Sequence, residues 1–375
     1  MKDFVYDTPV GGENLCNLAS DRLKLNDSVD RGEHVVLYGR RNTGKTSLLL
    51  HSVIPSFQNK NPKGMAMYSD LMGVQTTQDI SRRLRKAFED ATKKSAPLLA
   101  AMQKVGAFVK GVRPTFSFDT YGNPEFSLQI DNESGEVDLE DLFQLFAKTA
   151  ESRSLLLVID EFQDVALVPQ AEALLRAGLQ KLPAKVPVII SGSKKHLMSK
   201  IFGRPKAPLA GWGYDFQISN IPAEEYWPYV QERLMMSGCK ISLATTRFLL
   251  ELVSMVPEPA NIICSAILKG SPQTEITERL ISETLDKVAQ DRRGRYEEQL
   301  LRYSHDEQLL LITIARYQPV AEPQSKDFLR KVSKLSSSGV RKLIGRFENE
   351  AVIYREKEGV VIADPIMRRY LTLYH

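Results

Sequence analysis

Eight consecutive residues, Gly39-Arg-Arg-Asn-Thr-Gly-Lys-Thr, constrain this chain more than any other part of it. The run before them, His34–Tyr38, is short and β-rich, and residues 45–54 after them have a helical pattern. A loop at such a junction aims successive backbone N–H groups and the positive start of a helix at one point, which makes it a cradle for phosphate. Gly39 and Gly44 allow the tight path, and Arg40, Arg41, Asn42, Thr43 and Ser47 complete the lining, with Asn42 and Thr43 contributing mainly backbone. Lys45 is placed to reach β- and γ-phosphates, and the Thr46 hydroxyl to coordinate Mg²⁺. A glycine-rich turn capping an ordinary helix is the competing reading, which the flanking strand and helix make the lesser one.

A phosphate site of this kind needs carboxylates nearby. Leu155-Leu-Leu-Val-Ile159 is an uninterrupted apolar run of the kind buried on both faces in a parallel sheet, and it ends in Asp160-Glu161-Phe162-Gln163-Asp164. Ligands of open parallel sheets sit beyond the carboxyl ends of the strands, so Asp160 and Glu161 are expected beside the loop. Asp160 is assigned to the metal and Glu161 to activation of the attacking water. The alternative is that both cap a helix starting near Phe162. A further buried strand, 186–190, ends in Ser191-Gly-Ser193, where Ser193 is the candidate to contact the γ-phosphate or the catalytic water. Ser193 serves equally as a cap for a helix over 194–201. The strand Met65–Asp70 ends in Asp70, either near the metal ligands or simply facing a loop.

The chain of 375 residues, 43% hydrophobic, is long enough for two or three domains with a large core. Its 50 basic and 46 acidic residues leave a net charge of only +4, too little to argue for nucleic acid. Cys16, Cys239 and Cys264 are scattered without metal-ligand spacing and read as reduced packing residues, so the expected location is cytoplasmic. Neither a basic start followed by an apolar run nor a stretch of eighteen apolar residues is present, so no membrane partner is expected. An amphipathic helix over 76–94 and a β-hairpin insert near 115–131, with Phe116, Phe118, Phe126 and Leu128 on one face, complete the N-terminal half.

Taken together, Gly39-Arg-Arg-Asn-Thr-Gly-Lys-Thr-Ser-Leu-Leu, Ile159-Asp-Glu-Phe-Gln163, Ser191-Gly-Ser193 and Ala207-Pro-Leu-Ala-Gly211 resemble the archaeal-type ATPases of the STAND and AAA-like group of P-loop proteins, over roughly residues 3–268. The resemblance implies an α/β fold: a parallel-sheet P-loop ATPase core, the 186–190 strand between the phosphate-loop strand and the 155–159 strand, a helical lid after Pro222, and ATP with Mg²⁺ as ligands. The family carries arginine after its Pro-Leu-x-Gly, where this chain has Trp212, so no arginine role is carried over.

Residues 1–220 are therefore expected to form the core and 221–300 the lid, with Pro222 opening a helix at Ala223–Met236 and helices over 243–256, 261–268 and 276–303. Residues 301–375 read as three helices and two strands joined by a charged turn, a winged helix-turn-helix. Ser337–Asn349 would be its recognition helix, offering Ser338, Arg341, Lys342 and Arg346, and 355–359 the wing. Double-stranded DNA through Arg341, Lys342 and Arg346 is one candidate partner. Glu348, Glu350, Glu356 and Glu358 dilute the charge, and a protein partner or a second copy of the chain is the other. The two functional readings are an ATPase acting as a conformational or assembly switch on DNA, and a nucleotide-controlled signalling switch that docks protein.

Overall fold

Every residue of β5 (Leu155–Asp160) is buried, as an apolar run sandwiched between helices must be. The computed structural model that shows this describes residues 4–6, 8–16, 18–93, 112–118, 124–130, 138–218, 220–270, 274–332 and 335–375. The chain divides into two units, Leu18–Ser219 and Met1–Asn17 with Asn220–His375.

In Leu18–Ser219, β5 belongs to a five-stranded sheet with β1 (His34–Tyr38), β2 (Met65–Asp70), β6 (Val188–Gly192) and β7 (Tyr214–Gln217), in the order β2-β5-β6-β1-β7. All neighbours run parallel. The β6 strand lies between β1 and β5, as the resemblance implies. It begins two residues later than expected, because Pro187 has no N–H to give the ladder, and it runs on through Gly192. The register pairs Tyr38 with Gly192 and Asp70 with Asp160, so the carboxyl ends of four strands finish near one level.

Helices α1 (Ala19–Asp30), α2 (Lys45–Leu48), α3 (Ile54–Lys60), α4 (Thr77–Lys93), α5 (Leu139–Ser152), α6 (Ala171–Leu179) and α7 (Lys195–Phe202) complete this unit. The α4 helix buries Ile80, Leu84, Ala87, Phe88 and Ala91, the spacing of one helical face. Phe88 stacks on Phe146 of α5 at 5.5 Å between ring centroids. Between α2 and α3 the helix widens into a π turn, Leu49–Val53, closed by the Ile54 N–H donating to Leu49 O. The cause is Pro55, which cannot donate to the carbonyl four residues back and whose ring crowds it. The expected insert is present as the antiparallel pair β3 (Val112–Phe118) and β4 (Pro124–Ile130), with Phe116 opposite Phe126. The side chains of its expected apolar face, and its turn, lie outside the described residues.

The second unit contains α8 (Ala223–Met236), α9 (Leu243–Leu252), α10 (Pro257–Gly270), α11 (Glu278–Asp291) and α12 (Arg293–Leu300). Pro222 sits at the N-cap of α8, one residue before the first helical position, and Pro228 lies inside the helix. The helix expected over 276–303 is two helices, parted at Arg292. Residues near the N-terminus, expected in the core, are tied here instead: Asn261 Nδ2 donates to Val5 O at 2.7 Å, Tyr229 Oη to Asn14 O at 3.0 Å, and Arg233 to the Asn14 side chain. Beyond α12 come α13 (His305–Tyr317), α14 (Lys326–Lys331), α15 (Ser337–Asn349), the antiparallel pair β8 (Ile353–Arg355) and β9 (Val360–Ile362), and α16 (Pro365–Tyr374). Ser304 and Glu307 form a capping box on α13, and Ser336 and Asp364 cap α15 and α16. Three helices followed by a two-stranded wing make a winged helix. Among the described residues, no helix is long and apolar enough to cross a membrane. Cys16, Cys239 and Cys264 are buried thiols.

Candidate nucleotide-binding site

The loop 39–46 leaves β1 and enters α2, as its sequence requires. Asn42 at φ 65° and Gly44 at φ 87° adopt the left-handed conformation that bends the chain back toward the start of α2. Gly39 has a different reason to be glycine: a Cβ there would stand 2.0 Å from Ile218 Cγ2. Thr43 Oγ1 donates to Arg40 O at 2.7 Å, so this side chain braces the turn and leaves backbone to face a ligand. Lys45 is 5% exposed, and its ammonium donates to Gly39 O at 3.0 Å and Arg40 O at 2.9 Å. Burial lowers the Lys45 pKa, while the nearby Glu161 and Asp160 carboxylates oppose that shift. Arg41 and Asn42 are exposed, and Ser47 is buried beneath the loop.

The carboxylates arrive from β5. Asp160 is buried, and its Oδ2 accepts from Thr46 Oγ1 at 2.7 Å and from Tyr68 Oη at 3.0 Å; its Oδ1 accepts from the Glu161 N–H at 2.9 Å. The structure thus joins Thr46 and Asp160, residues 114 positions apart, into one cluster of oxygens. Such a pair of hard donors suits Mg²⁺, which needs one or two protein oxygens beside phosphate and water. Among the described residues there is no group of three or more His, Cys, Asp or Glu able to hold a metal. Burial, reinforced by Asp160, raises the Tyr68 pKa, so the phenol stays a neutral donor.

Glu161 has φ 51°, the left-handed region that a non-glycine residue occupies at a cost of roughly 1–3 kcal/mol. It stands at the N-cap of a 3₁₀ turn, Phe162–Leu167, yet its side chain makes no capping bond. Its Oε2 instead accepts from Ser193 Oγ at 3.1 Å and from Gln163 Nε2. Ser193 likewise caps nothing: the N-cap of α7 is Lys194. Next to them Asp164 accepts from the Gly73 N–H at 2.8 Å and lies 3.6 Å from Lys194 Nζ.

The structure places Lys45, Thr46, Asp160, Glu161 and Ser193 in one neighbourhood. Asp70 is not bonded into it, since its Oδ1 accepts from the Met72 N–H at 2.7 Å. Two contributors were not singled out from sequence. Tyr68 is one, legible only once β2 is known to lie beside β5; Gln163 is the other, quoted above within the acidic run but given no role. Trp212 stacks on His34 with ring centroids 5.0 Å apart and is a packing residue.

Comparison with solved structures gives the architecture a place. A Walker-type ATPase of Pyrococcus abyssi superposes with a TM-score of 0.70 at 17% identity, over 99% of each chain. The ORC2 protein of Aeropyrum pernix, solved with ADPNP and ADP, gives 0.57 at 13% identity, over 99% of this chain and 96% of that one. This is the P-loop ATPase fold. Residues 294–373 match the family model described as a probable winged helix domain. The expected kinship with archaeal-type ATPases that end in a winged helix agrees with both findings. No curated protein matches the sequence.

Proposed function

We propose that this P-loop protein binds ATP with Mg²⁺, hydrolyses it, and uses the cycle as a conformational or assembly switch. The observation that carries the reading is the meeting of Thr46, from the phosphate loop, with the Asp160 carboxylate at 2.7 Å, beside Lys45 and Glu161. Gly39, Arg40, Arg41, Asn42, Thr43, Gly44, Lys45, Thr46 and Ser47 form the phosphate cradle. Thr46 and Asp160 would hold Mg²⁺, which when bound would neutralise charge on the phosphates. Glu161 takes a proton from water as its oxygen attacks the γ-phosphorus and the bond to the ADP oxygen breaks. Ser193, bonded to Glu161, senses the γ-phosphate.

The test is Glu161→Gln, which keeps the shape of the side chain but cannot accept the proton. ATP should still bind, while turnover falls by on the order of a hundredfold or more. Hydrolysis at the wild-type rate would remove the base role from Glu161.

For the winged helix, DNA contact through Arg341, Lys342 and Arg346 is the first reading. A specific observation favours a second, docking to protein. Arg346 is ion-paired with Glu307 and with Glu350, and Arg355 of the wing with Glu348 at 3.0 Å. Salt-dependent retention on duplex DNA favours the first reading and its absence the second.

A further inference from the structure

We infer that Gln163 is a positioning residue for the water-activating carboxylate, holding one oxygen of Glu161 and leaving the other to take the proton. The inference rests on the ATPase reading above and adds to it a residue and a reason. Gln163 is 2% exposed and lies at the start of the 3₁₀ turn after β5. Its Nε2 donates to Glu161 Oε2, and its Oε1 accepts the Ser193 N–H at 3.0 Å. These partners fix the amide's orientation: a backbone N–H can be met only by the amide oxygen, and a carboxylate only by the amide nitrogen.

Ser193 closes the ring, because its hydroxyl donates at 3.1 Å to the same Glu161 oxygen. Three residues from the ends of two adjacent strands therefore lock one another. Among the described residues both side-chain donors to this carboxylate fall on Oε2, which orients it. The backbone of Glu161, at φ 51°, is in the sparsely populated left-handed region, which persists where surrounding contacts hold it. Glutamine is the side chain of this length that carries a donor and an acceptor together. Glutamate would set oxygen against oxygen, and methionine would fill the volume and make neither bond. The space is also reserved from the other side: a Cβ on Gly192 would stand 2.7 Å from Gln163 Oε1.

The experiment measures ATP affinity, turnover and thermal midpoint for the full chain as wild type, Gln163→Met, Glu161→Gln and the double variant. Gln163→Met should bind ATP within about threefold of wild type, while turnover at saturating ATP falls about tenfold to a hundredfold, the scale of a misplaced catalytic group. In the Glu161→Gln background the same change should cost little more, because a residue acting through Glu161 has nothing left to position. Should Gln163→Met not fold, Gln163→Asn, which stays polar but is one methylene too short to span Glu161 and Ser193, carries the same comparison. Wild-type turnover in Gln163→Met, a loss that multiplies onto Glu161→Gln, or a parallel fall in affinity and thermal midpoint each overturns the assignment. A wild-type protein that binds ATP without hydrolysing it overturns the ATPase reading and this one together, whereas a hydrolysing wild type with an equally fast Gln163→Met overturns this one alone.

Discussion

Lys45 is held in a position that is costly for an ammonium. It is buried, and lost hydration lowers its pKa; the Glu161 and Asp160 carboxylates oppose that shift, and two loop carbonyls accept its hydrogen bonds. A cation so placed is ready to exchange carbonyl partners for phosphate oxygens, so Lys45→Ala should largely abolish ATP binding, read by titration with a fluorescent ATP analogue. Unchanged binding would show that the loop is not the phosphate site. Asp160 makes a different prediction. It accepts three hydrogen bonds, from Thr46, Tyr68 and the Glu161 N–H, and asparagine in its place would turn one acceptor into a donor. Asp160→Asn should retain nucleotide but need more Mg²⁺ for turnover, measured by titrating the metal at fixed ATP. An unaltered Mg²⁺ dependence would take the metal away from this carboxylate.

At the scale of elements, glycine and proline decide where structure starts, bends and stops. Pro187 delays β6, Pro55 forces the π turn, and the glycines of the phosphate loop permit its path. The clearest case is the wing. Gly359 has φ 148°, and a Cβ there would lie 2.4 Å from the backbone carbon of Val320, whose N–H and carbonyl both bond to Val360. Backbone cannot yield as a side-chain tip can. Gly359→Ala should destabilise the winged helix by about 1–3 kcal/mol, seen as a lower midpoint in urea or thermal unfolding, while nucleotide affinity is retained. An unchanged midpoint would mean that the wing tolerates a rearranged turn.

At the scale of the whole molecule, α15 carries the face proposed to meet a partner. Arg341, Lys342 and Arg346 are exposed on α15, but Arg341 donates to Gln324 and Arg346 is paired with two glutamates. Exposed ion pairs are weak, so they can be exchanged for phosphate, though they leave less positive charge to attract it. If this face follows a DNA backbone, replacing the three residues by Ala should weaken duplex binding and flatten its salt dependence by up to about 0.9 slope units per lost phosphate contact. ATP hydrolysis should survive. Binding titrations at several salt concentrations decide it, and no duplex binding by the intact protein at low salt would assign the face to a protein partner.

The sequence determined what short range can determine. A motif of eight residues between a β-rich run and a helical one specifies its own loop, and the uninterrupted apolar run 155–159 specifies a strand buried on both sides, because periodicity and backbone freedom are local properties. The helices and wing of the C-terminal residues were legible for the same reason. Three things were decided only by the tertiary structure, because each depends on which segments become neighbours. Residues near the N-terminus joined the C-terminal unit, since the Val5 and Asn14 carbonyls found Asn261 and Tyr229, more than two hundred positions away. Tyr68 rather than Asp70 bonds to Asp160, although both lie on one face of β2: the long phenol spans to the neighbouring strand while the Asp70 carboxylate accepts from the Met72 N–H, and the pairing of β2 with β5 that allows this is not written along the chain. The Glu161 carboxylate went to Gln163 and Ser193 instead of capping a helix, because a left-handed backbone at Glu161 and the adjacency of β5 and β6 brought two donors to one oxygen, and no pattern along the chain encodes that meeting.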